Sequence, residues 1–407
     1  MTTKVVSPSP LIDIEAVGFD AGAHVLVRHA LAALAPGDAL RVVGSAAGWD
    51  VQLEDWCRRQ GHTVQWETRD DTGRVGIVTR NAHYGRWRDA LRAGHSDPHA
   101  ADAVAERALS GWGLAARGAS VEAGSPAYTF RLNTKRDLWA DNVTELYAQA
   151  VAAQWNPDEA IDWKVQFDNP PPVELAVVQI MTYMIENENA ALVIPARFLG
   201  QIHPHYRELQ AALAMQIADE ARHVEVFTRR VRCKGHEPLL STAGGQASLK
   251  SLVDEPDFSV ASFLLSVLGE GTFVTLLHFL QVHGPDPLTR QIARLTGRDE
   301  ARHVALGMSH LLYRLEREPD LRIRLARAVE HRHETLAATA GLNEEVFDAL
   351  ILIAAGELTP TGVARGYAQV QQLMSDMADG RYARLVRLGF DRTQARELAL
   401  LHTRNFM

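Results

Sequence analysis

One hexapeptide occurs twice in this chain. Asp219-Glu220-Ala221-Arg222-His223-Val224 reads DEARHV, and Asp299-Glu300-Ala301-Arg302-His303-Val304 repeats it 80 residues later. Both copies lie in long segments of helical apolar periodicity. Each therefore sets a carboxylate and an imidazole at i and i+3 on one helical face. A single Glu-x-x-His means little, because any surface helix can carry one. Two identical copies mean two helices presenting the same pair of groups, related by an internal pseudo-twofold axis. That restricts the chain to a helical bundle in which the copies face each other.

A facing pair of this kind needs a further carboxylate from each partner helix. Glu270 stands 30 residues before Glu300, and Glu188 and Glu186 stand 32 and 34 before Glu220. A helix of about 20 residues, a short turn and a returning half-helix cover that distance, so each pair can meet across an antiparallel hairpin. The neighbours on the helical face separate the two candidates. Met184, Ile185, Ala191 and Leu192 surround Glu188, whereas Thr182, Tyr183, Asn189 and Ala190 surround Glu186. Glu188 has the core-facing pattern.

Four glutamates bring four negative charges together, and two divalent cations cancel them. Without metal, four buried carboxylates repel and force protonation or local opening. Two ions about 3.5–4 Å apart between carboxylates can bind and reduce O2. Mixed oxygen and nitrogen donors with open positions suit iron or manganese better than closed zinc coordination. Asp219 and Asp299 precede their histidines by one helical turn and can reach a ring on their own or the facing helix, fixing its tautomer. Arg222 and Arg302 are placed to pair with these acids.

Two Glu-x-x-His helices, each paired with a Glu-bearing helix, resemble the ferritin-like di-iron carboxylate superfamily. The run DEARHVALG, Asp299 to Gly307, is similar to the second motif of bacterial multicomponent monooxygenases and related di-iron oxygenases. The resemblance spans roughly residues 170 to 316. It implies a ferritin-like four-helix bundle in a mainly α fold. It also implies two iron ions, with manganese the alternative, held by Glu188, Glu220 and His223 in one half-site and Glu270, Glu300 and His303 in the other. The activity implied is O2-dependent oxidation of a small organic substrate, either oxygenase or oxidase, with ferroxidase, iron-handling or peroxide-protective chemistry as the alternative. The tyrosine of radical-generating relatives falls at Phe227, which speaks against that branch, and the absence of CxxC speaks against a rubredoxin-bearing one.

Composition narrows the rest. At 407 residues, two or three domains are expected. A net charge of −8 and a pI near 6.1 argue against nucleic-acid and acidic-membrane partners. Two cysteines, Cys57 and Cys233, predict a reducing, cytoplasmic setting and no iron–sulfur site. No uninterrupted run of 18 apolar residues predicts a membrane span. The chain has no flavin or ferredoxin signature, so electrons come from an external donor or from the substrate.

Along the chain, residues 1–80 alternate strand and helix signals in β-α-β-α-β-β order, a small two-layer α/β sandwich. The segment LAALAPGDALRVVG…WDVQLEDWCRRQGHTVQW resembles the TusA/SirA-like sulfur-carrier family. The carrier cysteine of that family would fall near Ala23 to Leu26, where there is none, so the resemblance implies a docking or regulatory domain. Residues 81–165 form a helical linker region, with helices expected over 100–109 and 135–155. Its tryptophans, Trp87, Trp112, Trp139, Trp155 and Trp163, are expected to pack it on the bundle. The bundle occupies 166–317, with helices over 173–199, 205–232, 257–283 and 287–317 and a long crossover at 234–255. The histidines of its turns are expected at the surface. Gly269 and Gly271 flank Glu270, either opening space beside the metals or allowing close helix packing. Residues 318–407 add further helices that could wall a pocket or build a homodimer interface.

Overall fold

A computed structural model describes residues 9–69, 73–81, 89–337 and 344–401. Trp87 and the first eight residues lie outside the described segments. The chain divides into two compact units, Met1–Ala93 with Gly118–Pro126, and Gly94–Arg117 with Ala127–Met407.

The first unit follows the expected order: β1 (Leu11–Asp13), α1 (Ala23–Ala32), β2 (Ala39–Val43), α2 (Trp49–Gln60), β3 (Thr63–Arg69) and β4 (Gly73–Thr79). The sheet order is β1-β2-β4-β3, with β1 parallel to β2 and the other pairs antiparallel. Ile14, Val27, Leu31, Leu40, Val42, Leu53 and Val78 make its core, where strand alternation and helix periodicity turn apolar residues to one interface. Gly61 ends α2 at φ +74°, and its N–H caps carbonyls of the last turn. Two short strands, β5 (Leu91–Arg92) and β6 (Ser120–Val121), pair antiparallel in the same unit.

The second unit is helical. After α3 (Val143–Ala152) and the single turn α4 (Pro157–Ala160) come α5 (Pro171–Leu199) and α6 (Arg207–Arg232). The crossover contains an unforeseen helix, α7 (Ala243–Val253), capped by the Thr242 side chain. Next, α8 (Phe258–Ser262), a π-helical segment (Phe263–Glu270) and α9 (Gly271–His283) form one continuous helix, and α10 (Pro287–Arg317) returns antiparallel to it. This is a ferritin-like four-helix bundle. It is extended by α11 (Leu321–Ala337), α12 (Glu344–Ala355), α13 (Pro360–Arg387) and α14 (Arg392–Leu400). The stretch Phe258–His283 has the length and hydropathy of a membrane span, but 83% of its most apolar window is buried in the bundle. It is apolar because neighbours surround it on all sides.

A polar clamp closes one end of the bundle. Arg230, fully buried, donates to Glu174 on α5 at 2.6 and 2.9 Å and to Asp286 at 2.8 Å. Asp286 also caps α10 by accepting the Thr289 N–H.

Three expectations need correction. The helix expected over 135–155 is confined to Val143–Ala152, after a separate 3-10 turn at Lys135–Asp137. Residues 100–109 form no helix, because their backbone groups are taken elsewhere. Ala108 N–H reaches Asn133 O, Arg107 bridges to Thr134, and Ala105 N–H reaches His205 Nε2. For the same reason His203 and His205 are not surface groups but are 2% and 4% exposed. Burial, with Arg117 nearby, pulls the His205 imidazole down to about 4, so it stays neutral and serves as an acceptor.

Candidate metal centre

The α5–α6 and α9–α10 hairpins bring six side chains together. Glu188, Glu220, His223 and Glu300 each offer a ligand atom within 4.8 Å of the others, and so do Glu220, Glu270, Glu300 and His303. All six are between 0 and 4% exposed. Glu220 and Glu300 belong to both groups, so they are placed to bridge two ions. Glu188 with His223, and Glu270 with His303, would complete one ion each. Glu186 is half-buried and outside both groups, so of the two candidates Glu188 joins the cluster.

Both imidazoles turn Nδ1 toward the carboxylates. His223 Nδ1 lies 3.0 Å from Glu220, 3.3 Å from Glu300 and 3.7 Å from Glu188. His303 Nδ1 lies 3.0 Å from Glu220 and 3.5 Å from Glu300. Yet His303 Nδ1, Glu220 Oε1, Glu188 Oε1, Glu270 Oε2 and both Glu300 oxygens make no hydrogen bond of acceptable geometry. Orphaned buried polar atoms are costly. Six of them crowded together are explained by a shared electropositive partner, and two metal ions fit the donor set. Four carboxylates and two imidazoles with open positions suit iron, with manganese the alternative.

The Nε2 atoms face the other way, and the support crosses between helices. His223 on α6 meets Asp299 on α10 at 3.2 Å, and His303 on α10 meets Asp219 on α6 at 3.3 Å. Each hexapeptide thus positions the imidazole of the other copy. Arg222 and Arg302 each bind both aspartates, joining the motifs into one ring of charges. Two residues from outside the bundle complete this layer: Gln154 Nε2 donates to Asp219 and Trp155 Nε1 to Asp299, both at 2.8 Å. Arg222 lies over the Trp155 ring at 4.6 Å. Trp155 was expected to pack the linker region on the bundle. Its hydrogen bond to the centre, and that of Gln154, carry no motif that reading could find.

Electrostatics follow this geometry. Burial, with the charges of Glu300 and Glu220, pushes the Glu188 and Glu270 carboxyls well above the usual range. Burial also disfavours charge on Glu220, but the His303 and His223 imidazoles overcome it and hold that carboxyl low. For both histidines, burial is outweighed by the surrounding carboxylates, and their affinity for a proton is raised well above normal. Bound protons here stand where metal cations would stand.

The halves differ at one point. Gln216, one turn before Glu220, donates to Glu270 at 2.9 Å. Its counterpart one turn before Glu300 is Thr296, whose buried hydroxyl has no partner. The π-helical segment ends at Glu270, and such segments shift a side chain relative to the α-helical register.

Cavities lie on both sides of the cluster. One, on the histidine side, is lined by Asp219, Arg302 and His303 among others. A second is lined by Glu188, Glu270, Glu300, Gly269, Leu252 and Phe273, among others, and reaches the carboxylate side of the site. A third is lined by Leu213, Gln216, Phe258, Leu306 and His310 among others and touches none of the six clustered side chains. Leu265 lines the second and the third. The two glycines beside Glu270 have different roles. Gly269 lies on the cavity wall. Gly271 leaves room for Arg384, whose Cζ would lie 2.5 Å from an added Cβ.

No family profile matches the sequence, and no curated protein matches it. Among solved structures, a Synechococcus protein with aldehyde deformylating oxidase activity is similar over 57% of this chain and 97% of its own, at 15% identity and TM-score 0.42. An R2-like ligand-binding oxidase from Sulfolobus acidocaldarius is similar over 62% and 93%, at 18% identity and TM-score 0.42. A variant R2-like ligand-binding oxidase reconstituted with an Fe/Fe cofactor gives 63% and 94%, at 16% identity and TM-score 0.42.

Proposed function

We propose that this chain is an O2-dependent di-iron oxidase or oxygenase acting on a small organic substrate at a Glu4His2 centre. One observation carries the reading: two overlapping ligand groups that share Glu220 and Glu300, beside a largely apolar cavity. Bound ferrous ions would supply the electrons for O2 reduction. Glu188, Glu220 and His223 would hold one, and Glu270, Glu300 and His303 the other, with Glu220 and Glu300 common to the two ligand groups. The chain's own part is to hold His Nδ1 toward the metals through the crossed aspartates, to exclude water, and to leave the carboxylate side open to the cavity. Reductant comes from an external donor or the substrate. The α/β unit is read as a TusA/SirA-like docking module. Its Cys57 is 1% exposed, and burial, with Glu54 adding to it, pushes the thiol up to about 12, which does not suit persulfide transfer.

The test is anaerobic Fe(II) loading followed by mixing with O2. Two iron ions should bind per chain, and O2 consumption should depend on an added organic substrate, without a growing ferric core. Oxidation of hundreds of Fe(II) per chain with no organic substrate would establish iron handling instead.

A further inference from the structure

Three arginines gather close to one another near the helices that line the carboxylate-side cavity, without themselves lining it. Arg381 and Arg384 lie one turn apart on α13, and Arg332 lies on α11. Arg381 is only 2% exposed, and its Nε and Nη2 have no hydrogen-bond partner; the same two atoms of Arg384 have none. Among the described residues no carboxylate pairs with Arg381 or Arg384. Arg332 donates to Ser248 at 2.8 Å and to Ser251 on α7. Burial, with the charges of Arg384 and Arg332, pulls the Arg381 guanidinium down to about 9, so these cations repel one another in a dry setting.

They pack on two of the helices that line the cavity. Ser248 shares the buried face of α7 with Leu249 and Leu252, which line it. Arg384 packs on Gly271, the residue after Glu270. The helices that frame the cavity, α7 and α9, thus also carry the contacts of the arginines. The cluster is no counter-ion to the metal centre. Two divalent metals already cancel the four glutamates, and positive charge would be left over. An unpaired buried guanidinium costs several kcal/mol and is tolerated where something completes it. Forked donors one turn apart match a planar carboxylate.

Resting on the oxidase reading above, we infer that Arg381 and Arg384, with Arg332 beside them, form an anion-binding subsite that anchors the carboxylate of an organic acid substrate. The substrate's apolar part then lies in the cavity against Glu188, Glu270 and Glu300.

The experiment uses the full chain loaded with Mn(II), with no reductant, so binding is read without turnover. Hexanoate and benzoate are titrated by calorimetry and thermal shift against hexanamide and benzamide, which keep shape and lose charge, and against inorganic phosphate. The carboxylates should bind one per chain, at least about tenfold tighter than their amides, as expected for charge-assisted hydrogen bonds. The Arg381→Gln, Arg384→Gln double variant should lose that preference while keeping its manganese, and Arg384→Lys should retain part of it. Arg381→Met should melt higher than wild type without ligand, because an unpaired buried charge is gone. Equal binding of acids and amides, undiminished acid binding in the double variant, or phosphate binding as tight as the carboxylates would overturn the assignment. Manganese content measured on the same samples tests the metal centre separately: loss of metal with carboxylate preference intact would defeat the oxidase reading alone.

Discussion

Each aspartate of the repeated hexapeptide supports the histidine of the other copy, and that crossing can be measured. In Asp219→Ala, His303 Nε2 loses its acceptor at 3.3 Å and is left buried and unpaired, while His223 keeps Asp299 at 3.2 Å. An unsatisfied buried donor costs about 1–3 kcal/mol, and loss of such support to a ligating histidine costs about 10–100-fold in metal affinity. That ratio corresponds to about 1.4–2.7 kcal/mol. The assay is competitive Mn(II) titration in double-mutant cycles that pair Asp219→Ala with His303→Ala or with His223→Ala. Coupling with His303 should reach about 1–3 kcal/mol and exceed the coupling with His223, which Asp219 reaches only indirectly, through Arg222 and Asp299. The Asp299 cycles should give the mirror result. A larger coupling between Asp219 and His223, on the same helix, would refute the crossed arrangement.

Three further outcomes are expected. In metal-free protein, Glu188 and Glu270 are raised well above 4.5 and the two site histidines well above 6.5, whereas burial lowers His62, His203, His205, His283 and His310, so it is above about pH 7, where those five are mostly neutral in the unfolded chain as well, that the folded state binds more protons than the unfolded chain. Metal-free stability should therefore fall as pH rises from about 7 to 8, while the gain from added Mn(II) grows, because metal displaces those protons; a metal-free melting temperature that climbs across this window would contradict the site electrostatics. Arg230→Met leaves Glu174 and Asp286 buried without their cation and should cost about 3–5 kcal/mol by urea unfolding; a loss below about 1 kcal/mol would mean the clamp adds nothing. Leu265→Ala should join the two cavities it lines, lower stability by about 2–5 kcal/mol and widen the range of bound carboxylates at constant metal content; an unchanged range would show that Leu265 does not divide them.

The bundle was legible because its signals are local. Helix four was expected over 287–317 and is found at Pro287–Arg317, where Asp286 caps and Pro287 opens it, as the sequence alone suggests. The cluster was legible through repetition, since two copies of DEARHV fix a spacing and a face. What stayed hidden depends on contacts distant in sequence. Gln154 and Trp155 reach the aspartates across 65 and 144 residues. Residues 100–109 have helical composition, yet their N–H groups are committed to His205 and Asn133, and tertiary hydrogen bonds override propensity. The π-helical segment leaves no mark in apolar periodicity when every residue from Phe263 to Glu270 is buried. The arginine subsite was invisible because Arg332, Arg381 and Arg384 each read as ordinary residues of amphipathic helices.

The repeat explains where the two halves must be alike and where they are free to differ. Holding two ions would demand matched Glu-x-x-His pairs, and the crossed aspartates demand matched Asp; the hexapeptide supplies both in each copy. The partner helices have no such constraint. At Glu270 the backbone is π-helical and Gln216 holds the carboxylate, whereas Glu188 sits in a regular helix and its Oε1 has no protein donor. One terminal carboxylate is therefore fixed by the protein and the other is left for the metal to fix. Both lie on the cavity wall. Were metal bound, the position of Glu188 would be set by the metal, while Gln216 would keep Glu270 in place. The difference between the half-sites thus lies on the side of the centre that a substrate would approach.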